Sequence, residues 1–152
     1  MKFKLMKKFF ILFFILTFFP SSVTSDDTFL SLKKNKVNVR YGPGFDYEVK
    51  YIYRKRNLPL KIIDKKENFR KIIDHKKNSG WIHWTQLKKS KSFIVTKDKI
   101  LFSKPTLFSK PKAIIQKGRL LIYKNCKKKW CNIKTGDYEG WVSTEDIWGK
   151  IR

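Results

Sequence analysis

The sequence predicts an all-β protein of two small β-barrels in tandem, following an N-terminal signal peptide. Its apolar residues come in short β-branched or aromatic runs separated by turn residues, and no helical period is sustained over three turns. The triplet Gly80-Trp81-Ile82 also recurs as Gly140-Trp141-Val142, at an offset of 60 residues. Five short strands on about fifty residues favour a small barrel, because closure removes most exposed edges.

Residues 1–25 have the pattern of a secretory signal peptide. Four lysines precede an apolar run at 9–19, and this run is shorter than the about 20 residues that a membrane-spanning helix needs. A retained anchor is therefore the weaker alternative. Val23 and Ser25 fit the small-residue rule for cleavage before Asp26. We expect an exported protein, located in the periplasm.

The repeat divides the remaining chain into module one, residues 26–90, and module two, residues 91–152. The strands expected in module one are 37–40, 47–53, 60–64, 69–74 and 81–84. Those expected in module two are 100–102, 112–115, 120–123, 130–133 and 141–143. The apolar segment at 93–95 can pair with a neighbouring strand, which would join the modules rigidly.

The most distinctive stretch is 37–47, with the sequence V-N-V-R-Y-G-P-G-F-D-Y. Its two valines alternate with Asn38 and Arg40, as in a half-buried strand, and the glycine-proline-glycine that follows forces a turn. This pattern, followed by G-W-I at 80–82, resembles the bacterial SH3-like domain of exported proteins. Module two resembles the family less directly, because S-K-P-T at 103–106 replaces the glycine turn while Y-E-G-W at 138–141 is kept.

The resemblance is to tandem SH3-like proteins of the Gram-negative envelope. It implies two SH3-like barrels and a non-catalytic module that binds peptidoglycan or its peptide stems. Fold alone does not fix the ligand, so the residues must be considered separately.

The aromatic rings at the turn suggest a ligand surface, because such rings stack on sugars or pack on peptide. The outward-facing Arg40 can pair bidentately with a stem-peptide carboxylate. The candidate ligand-binding residues are Asn38, Arg40, Tyr41, Phe45, Tyr47 and Trp84. Alternatively, Tyr47 fills the edge of a core and the turn needs no ligand to explain it. Trp84 is open to either role.

Other aromatic residues are assigned to the interior. Trp81 and Trp141 each follow a glycine at the start of a β run, so we expect both in the cores, together with Phe69 and Trp130. Trp148 is open to a core or a contact role. His83 shares the strand face of Trp81, whereas His75 lies in a lysine-rich turn and is expected to be solvated.

Cys126 and Cys131 are the only cysteines, and positions i and i+5 face each other across a four-residue hairpin loop. An oxidising compartment then favours a disulfide, with two free thiols as the alternative. Zinc is not expected, because both histidines lie in module one. Catalytic residues and cofactors are not expected either, since a histidine would have to reach cysteines that pair with each other.

The net charge of +24 becomes +20 once the four lysines of residues 1–25 are removed. Such a field attracts anionic polymers or surfaces, although solvated lysines alone can explain it. The leading hypothesis is binding of peptidoglycan or its peptide stems. The alternatives are an adaptor for another envelope protein and weak electrostatic contact with an anionic membrane surface. Nucleic acid is not an expected partner, and the sequence leaves the oligomeric state open.

Overall fold

A computed structural model describes residues 28–151, and the predicted signal peptide at 1–25 lies outside them. Within the described residues, fourteen strands form two seven-stranded antiparallel sheets, one in each module. The predicted all-β fold of two SH3-like barrels is confirmed. No helix within this range is long and apolar enough to cross a membrane.

Module one forms the first sheet, in the order β3-β2-β6-β5-β4-β1-β7. Its strands are β1 Phe29–Leu32, β2 Val37–Arg40, β3 Val49–Tyr53, β4 Pro59–Lys66, β5 Phe69–Ile73, β6 Ser79–His83 and β7 Leu87–Lys89. A 3-10 turn at Trp84–Gln86 connects the last two strands. The loop at 41–48 connects β2 to β3 and carries the glycine-proline-glycine turn.

Module two forms the second sheet, in the order β10-β9-β13-β12-β11-β8-β14. Its strands are β8 Ser92–Val95, β9 Lys99–Phe102, β10 Pro111–Ile115, β11 Leu120–Lys127, β12 Trp130–Thr135, β13 Tyr138–Ser143 and β14 Ile147–Trp148. This order is that of module one with every strand number raised by seven. The internal repeat therefore extends from sequence triplets to the whole topology.

Each sheet encloses its own core. Module one buries Leu32, Val39, Leu60, Ile72 and Ile82, which come from five different strands and form one cluster. A second cluster in module two includes residues from β8, β9, β11, β12 and β13. Because strands across the full width of a sheet contribute to one cluster, the sheet must curl around it. On β2 the two valines are buried, and Asn38 and Arg40 face outward as expected.

The glycine-tryptophan pairs do not place tryptophan in the cores. Gly80 and Ile82 face the interior of module one, so the intervening Trp81 lies on the other face and is only half-buried. Trp141 is half-buried for the same reason. A Cβ at position 80 would overlap the Val39 side chain, and it would lie 3.0 Å from the Arg40 carbonyl oxygen. The motif thus needs glycine at position 80, because β2 packs directly against the backbone of β6 there.

The structure has seven strands in each module where the sequence predicts five. In chain order, the first and last strands of each module are additional to those five, and β7 and β14 are only three and two residues long. The third strand begins at Val49 rather than at Tyr47, which lies in the loop. The apolar segment 93–95 does pair, with β11 on one side and β14 on the other.

The two modules are joined by packing and by hydrogen bonds. Ile94 of β8 belongs to the core cluster of module one, and the partly buried Trp148 packs against it. The Trp148 indole Nε1 donates to the Pro59 carbonyl oxygen at 3.2 Å, and its ring meets Phe29 edge-on at 5.4 Å. The buried Ser92 hydroxyl donates to the Asn57 carbonyl oxygen at 2.6 Å. Trp148 therefore packs between the two modules.

A disulfide joins Cys126 and Cys131, as predicted. The two cysteines are cross-strand partners on β11 and β12, and pairing continues one step further to Lys127 and Trp130. Only Lys128 and Lys129 remain for the turn, and Lys128 has a φ of 51°. The loop is thus shorter than the four residues expected from the sequence.

Candidate functional site

A cleft on module one lies between the 41–48 loop and the segment that leads from β6 into the 3-10 turn. It has a volume of about 390 Å³. Its lining residues are Lys36, Val37, Asn38, Arg40, Phe45, Phe69, His83, Thr85 and Gln86. Strand β2 contributes the polar wall, and the ends of β5 and β6 contribute the aromatic floor.

The 41–48 loop is folded back on itself. Gly42 is buried beneath the Tyr47 ring, and a Cβ at this position would overlap that ring. The Arg40 Nη1 donates a hydrogen bond of 2.6 Å to the Tyr47 carbonyl oxygen. The Tyr41 amide donates to the Glu48 carbonyl oxygen at 3.2 Å. These contacts hold the loop at the rim of the cleft.

Three rings form the aromatic floor. Phe69 and His83 are directly opposite each other in the register of β5 and β6, with ring centroids 5.2 Å apart. Phe45 covers both, at 5.2 Å from Phe69 and 5.1 Å from His83. Phe69 is consequently 95% buried although it belongs to neither core cluster, whereas Phe45 remains 67% exposed. A ligand entering the cleft would meet the Phe45 ring.

The polar groups of the cleft favour an anionic ligand. Its lining contains Lys36 and Arg40 and includes neither aspartate nor glutamate. The Arg40 guanidinium carbon lies 5.6 Å from the Phe45 ring centroid, within cation–π range. The His83 Nδ1 and the Thr85 hydroxyl are 2.8 Å apart and hydrogen-bonded. The cleft therefore offers cationic groups beside an apolar ring.

The structure brings together only part of the predicted set. Asn38, Arg40 and Phe45 line the cleft, and the 52% exposed Trp84 lies beside it with its ring 6.5 Å from that of His83. Tyr47 contacts the loop glycines instead of the cleft. Tyr41 is 63% exposed, and the Lys50 Nζ lies 5.5 Å from its ring centroid. Tyr47 and Tyr41 are thus outside the cleft lining.

The sequence did not predict six of the lining residues: Lys36, Val37, Phe69, His83, Thr85 and Gln86. Phe69 is buried as expected for a core residue, and its ring also forms part of the floor of the cleft. The available signal was the face shared by His83 and Trp81, which is opposite to that of Ile82. Thr85 and Gln86 lie in the 3-10 turn, which no hydrophobic period predicts.

The most buried titratable groups of module one lie outside the cleft lining. Burial alone raises the pKa of Asp74, but hydrogen bonds from Asn78, Tyr53 and the Lys76 amide outweigh it, so the pKa is lowered overall. Burial raises the pKa of Tyr53, whose hydroxyl donates to Asp74 at 3.0 Å. This cluster fixes the turn between β5 and β6 at 74–78.

His75 is not solvated as expected. It is half-buried, its Nδ1 is buried and has no hydrogen-bond partner among the described residues, and burial lowers its pKa. Within residues 28–151 no group of three or more metal-ligating side chains is present.

A family model described as bacterial SH3 domain matches the chain twice, over residues 33–89 and over residues 97–149. The chain belongs to this family. Bacterial SH3 domains are generally binding modules, and the two matches lie in the two sheets described above. No curated protein matches the sequence.

Two solved structures show a low similarity to the chain, NlpC2 and NlpC1 from Trichomonas vaginalis. Their sequence identities are 14% and 15%, and each has a TM-score of 0.38. The alignments cover 83% and 86% of this chain, but only 49% and 48% of those proteins. The chain thus spans about half their length.

The second bacterial SH3 domain does not repeat the cleft of the first. Arg40 pairs with Trp81 across β2 and β6, and the equivalent pair in module two is Phe102 with Trp141. Phe102 is 92% buried and its ring meets that of Trp130 edge-on at 5.7 Å. Trp130 is half-buried rather than in the core. An aromatic pair thus replaces the guanidinium.

Proposed function

We propose that this protein is an exported, non-catalytic binding protein of the cell envelope, and that its module-one cleft binds peptidoglycan through the peptide stems. The observation that carries the proposal is the pairing of Arg40 with Phe45 in a cleft whose lining contains no acid. Membership of the bacterial SH3 domain family supports a binding role. The sequence of residues 1–25 supports export.

The cleft suits a short peptide that carries a carboxylate. A guanidinium has five N–H donors in a planar fork, and within the described structure one Arg40 nitrogen is engaged with the Tyr47 carbonyl oxygen. Donors therefore remain for a ligand carboxylate, with Lys36 at the same wall. The Phe45 ring provides a surface for the apolar part of a stem or for a sugar face.

The His83 and Thr85 pair is best explained as part of the binding wall. A hydroxyl bonded to an imidazole can act as a nucleophile when an acid orients the ring, as in a catalytic triad. The cleft lining contains no such acid, and the imidazole lies against two phenylalanine rings. Both side chains can instead hydrogen-bond to the amides of a peptide ligand.

Cosedimentation with isolated sacculi at physiological salt tests the proposal. The protein beginning at Asp26, which contains all fourteen described strands, should sediment with sacculi. Phe45→Ala should weaken this binding about tenfold, because the exposed ring of the cleft is lost. Tyr138→Ala is the matched control, since it removes a similarly exposed ring from module two and should leave binding unchanged.

Failure of the unmodified protein to sediment, or equal binding by the two variants, would overturn the proposal. Capture from crosslinked cells separates it from the adaptor alternative. A peptidoglycan binder should yield muropeptides, whereas an adaptor should yield one dominant protein.

A further inference from the structure

Module two presents two large apolar side chains to solvent at the tip of one loop. In the 103–110 loop, which connects β9 to β10, Leu107 is 69% exposed and Phe108 is 99% exposed. Leucine and phenylalanine side chains at such exposure gain free energy when any apolar environment covers them. We call these two residues the apolar tip.

The backbone of this loop is held by its own hydrogen bonds. The Ser109 hydroxyl accepts from the Lys104 amide at 3.2 Å and lies 3.0 Å from the Lys104 carbonyl oxygen. The Phe108 amide donates to the Thr106 hydroxyl at 3.3 Å, and the Ser103 amide donates to the Lys110 carbonyl oxygen at 2.9 Å. A defined backbone therefore projects the apolar tip away from the core.

The corresponding loop of module one behaves differently. It connects β2 to β3, and its Phe45 folds onto Phe69 and His83. In module two the aromatic pair of Phe102 and Trp130 occupies the equivalent place, and the loop lacks the glycine turn. Exposure of the apolar tip is thus a specific difference between the two copies.

Lysines lie in the loop that carries the apolar tip and in the neighbouring β11–β12 hairpin. Pro105 of the loop and the lysines at 127–129 line one cleft of about 430 Å³ together with Trp130. The loop itself adds Lys104 and Lys110, and neither 103–110 nor 124–131 contains an acid. Two acids from outside these segments contact the hairpin: the Glu139 carboxylate lies 2.7 Å from the Lys124 Nζ, and the Glu145 carboxylate lies 3.6 Å from the Lys129 Nζ. The disulfide braces the hairpin that carries the three lysines.

We propose that this face of module two docks on an anionic phospholipid bilayer. The apolar tip enters the interface between headgroups and acyl chains, and the lysines of the loop and the hairpin contact the headgroup phosphates. The charge favours a bilayer over a protein partner, because lysine is depleted in protein–protein interfaces but attracted to anionic lipid surfaces. The shape of the apolar tip also favours a bilayer, because lipid can bury a projecting pair of apolar side chains without a complementary groove.

This site is separate from the proposed peptidoglycan cleft, which lies on module one. Together with the proposed peptidoglycan binding, on which this consequence rests, docking would hold peptidoglycan close to a membrane surface.

Flotation with vesicles tests the docking site. The protein beginning at Asp26 excludes the apolar segment at 9–19, which would bind lipid by itself. It should float with vesicles of phosphatidylethanolamine and phosphatidylglycerol at physiological salt, but not with phosphatidylcholine vesicles. The double variant Leu107→Ser, Phe108→Ser should lower the partition coefficient about tenfold or more, because the apolar burial is lost. Ile114→Ser, at a 74% exposed position on β10, should not lower it.

A matched lysine pair tests the electrostatic part. Lys104→Gln with Lys127→Gln should weaken flotation about tenfold, whereas Lys65→Gln with Lys66→Gln, in the equivalent hairpin of module one, should have a much smaller effect. Absence of flotation by the unmodified protein would overturn the proposal. So would full binding by the serine double variant, or equal losses for the two lysine pairs. Because every substituted side chain is exposed, circular dichroism should show an unchanged fold.

Discussion

The Arg40 guanidinium donates a hydrogen bond of 2.6 Å to the carbonyl oxygen of Tyr47 and thereby closes the 41–48 loop over module one. The same guanidinium lies beside the Phe45 ring that forms the exposed surface of the cleft. One side chain on β2 therefore both positions the loop and presents charge to a ligand.

Arg40→Lys is expected to weaken sacculus binding about tenfold, because a lysine keeps the charge but cannot hold the loop and a carboxylate at once. Hydrogen exchange of the amides at 41–48 should become faster, while that of β4 and β5 stays protected. Unchanged exchange in the loop would contradict the positioning role. Arg119→Lys, the same exchange at an exposed position of module two, is the matched control and should leave both binding and loop exchange unchanged.

Gly80→Ala and Gly42→Ala should have different effects. At position 80 the new Cβ overlaps the buried Val39 side chain, so the free energy of unfolding should fall by about 1–3 kcal/mol. At position 42 it meets the Tyr47 ring, which is partly exposed and can move aside. Chemical denaturation should therefore show a large loss of unfolding free energy for Gly80→Ala and a smaller loss for Gly42→Ala. Gly42→Ala should also reduce sacculus binding, because it displaces the loop at the rim of the cleft. The reverse order would contradict this packing.

These glycines illustrate how much the sequence could predict. The repeat of Gly-Trp-Ile and the Val37–Arg40 alternation predicted the fold, because period-2 patterns and close strand crossings leave local signatures. The same pattern led to a wrong placement of Trp81 and Trp141. Residue type alone suggests that a tryptophan on a strand faces the core. In the structure the buried Ile82 and Val142 occupy the inner face, so the tryptophan before each of them lies on the outer, half-buried face.

The cleft could be predicted only in part. Asn38, Arg40 and Phe45 were found because they lie in one local motif. His83 and Phe69 become neighbours of Phe45 only through strand pairing, and residue spacing along the chain does not show that contact. The fully exposed Phe108 was also missed, because exposure depends on whether a loop folds onto its module.

Reduction of the Cys126–Cys131 disulfide should destabilise module two by about 2 kcal/mol on the chain-entropy account of a short closed loop. Reduction is preferable to substitution, because Cys131 is fully buried and serine there would add an unpaired hydroxyl. The denaturant midpoint should fall, and hydrogen exchange of the amides near Cys131 should become faster. If the account holds, sacculus binding through module one persists after reduction.

Acid should destabilise module one through Asp74. Its pKa is lowered in the folded protein, so the ionised carboxylate stabilises the fold above the ordinary value of 3.8, and this contribution is lost as the pH falls through the lower folded pKa. Denaturation between about pH 5 and pH 2 should show this loss, and Asp74→Asn should remove part of the pH dependence. An identical pH profile for Asp74→Asn would contradict the assignment.

The contacts of Trp148 with module one should make the two modules unfold as one cooperative unit. Trp148→Ala removes the hydrogen bond to the Pro59 carbonyl oxygen and the edge contact with Phe29, both of which cross between modules. Thermal unfolding should then separate into two transitions, or one broadened transition, where the unmodified protein shows one. Trp84→Ala, an exposed tryptophan on module one, is the control and should leave a single transition.

An NMR titration tests whether a peptidoglycan stem binds in the module-one cleft. A soluble muropeptide should be added to isotopically labelled protein, with amide shifts followed residue by residue. We expect saturable shifts at Asn38, Arg40 and Phe45 and at 83–86. Module two should be unaffected, and Phe45→Ala should abolish the shifts. Absence of shifts, or shifts confined to module two, would contradict binding in this cleft.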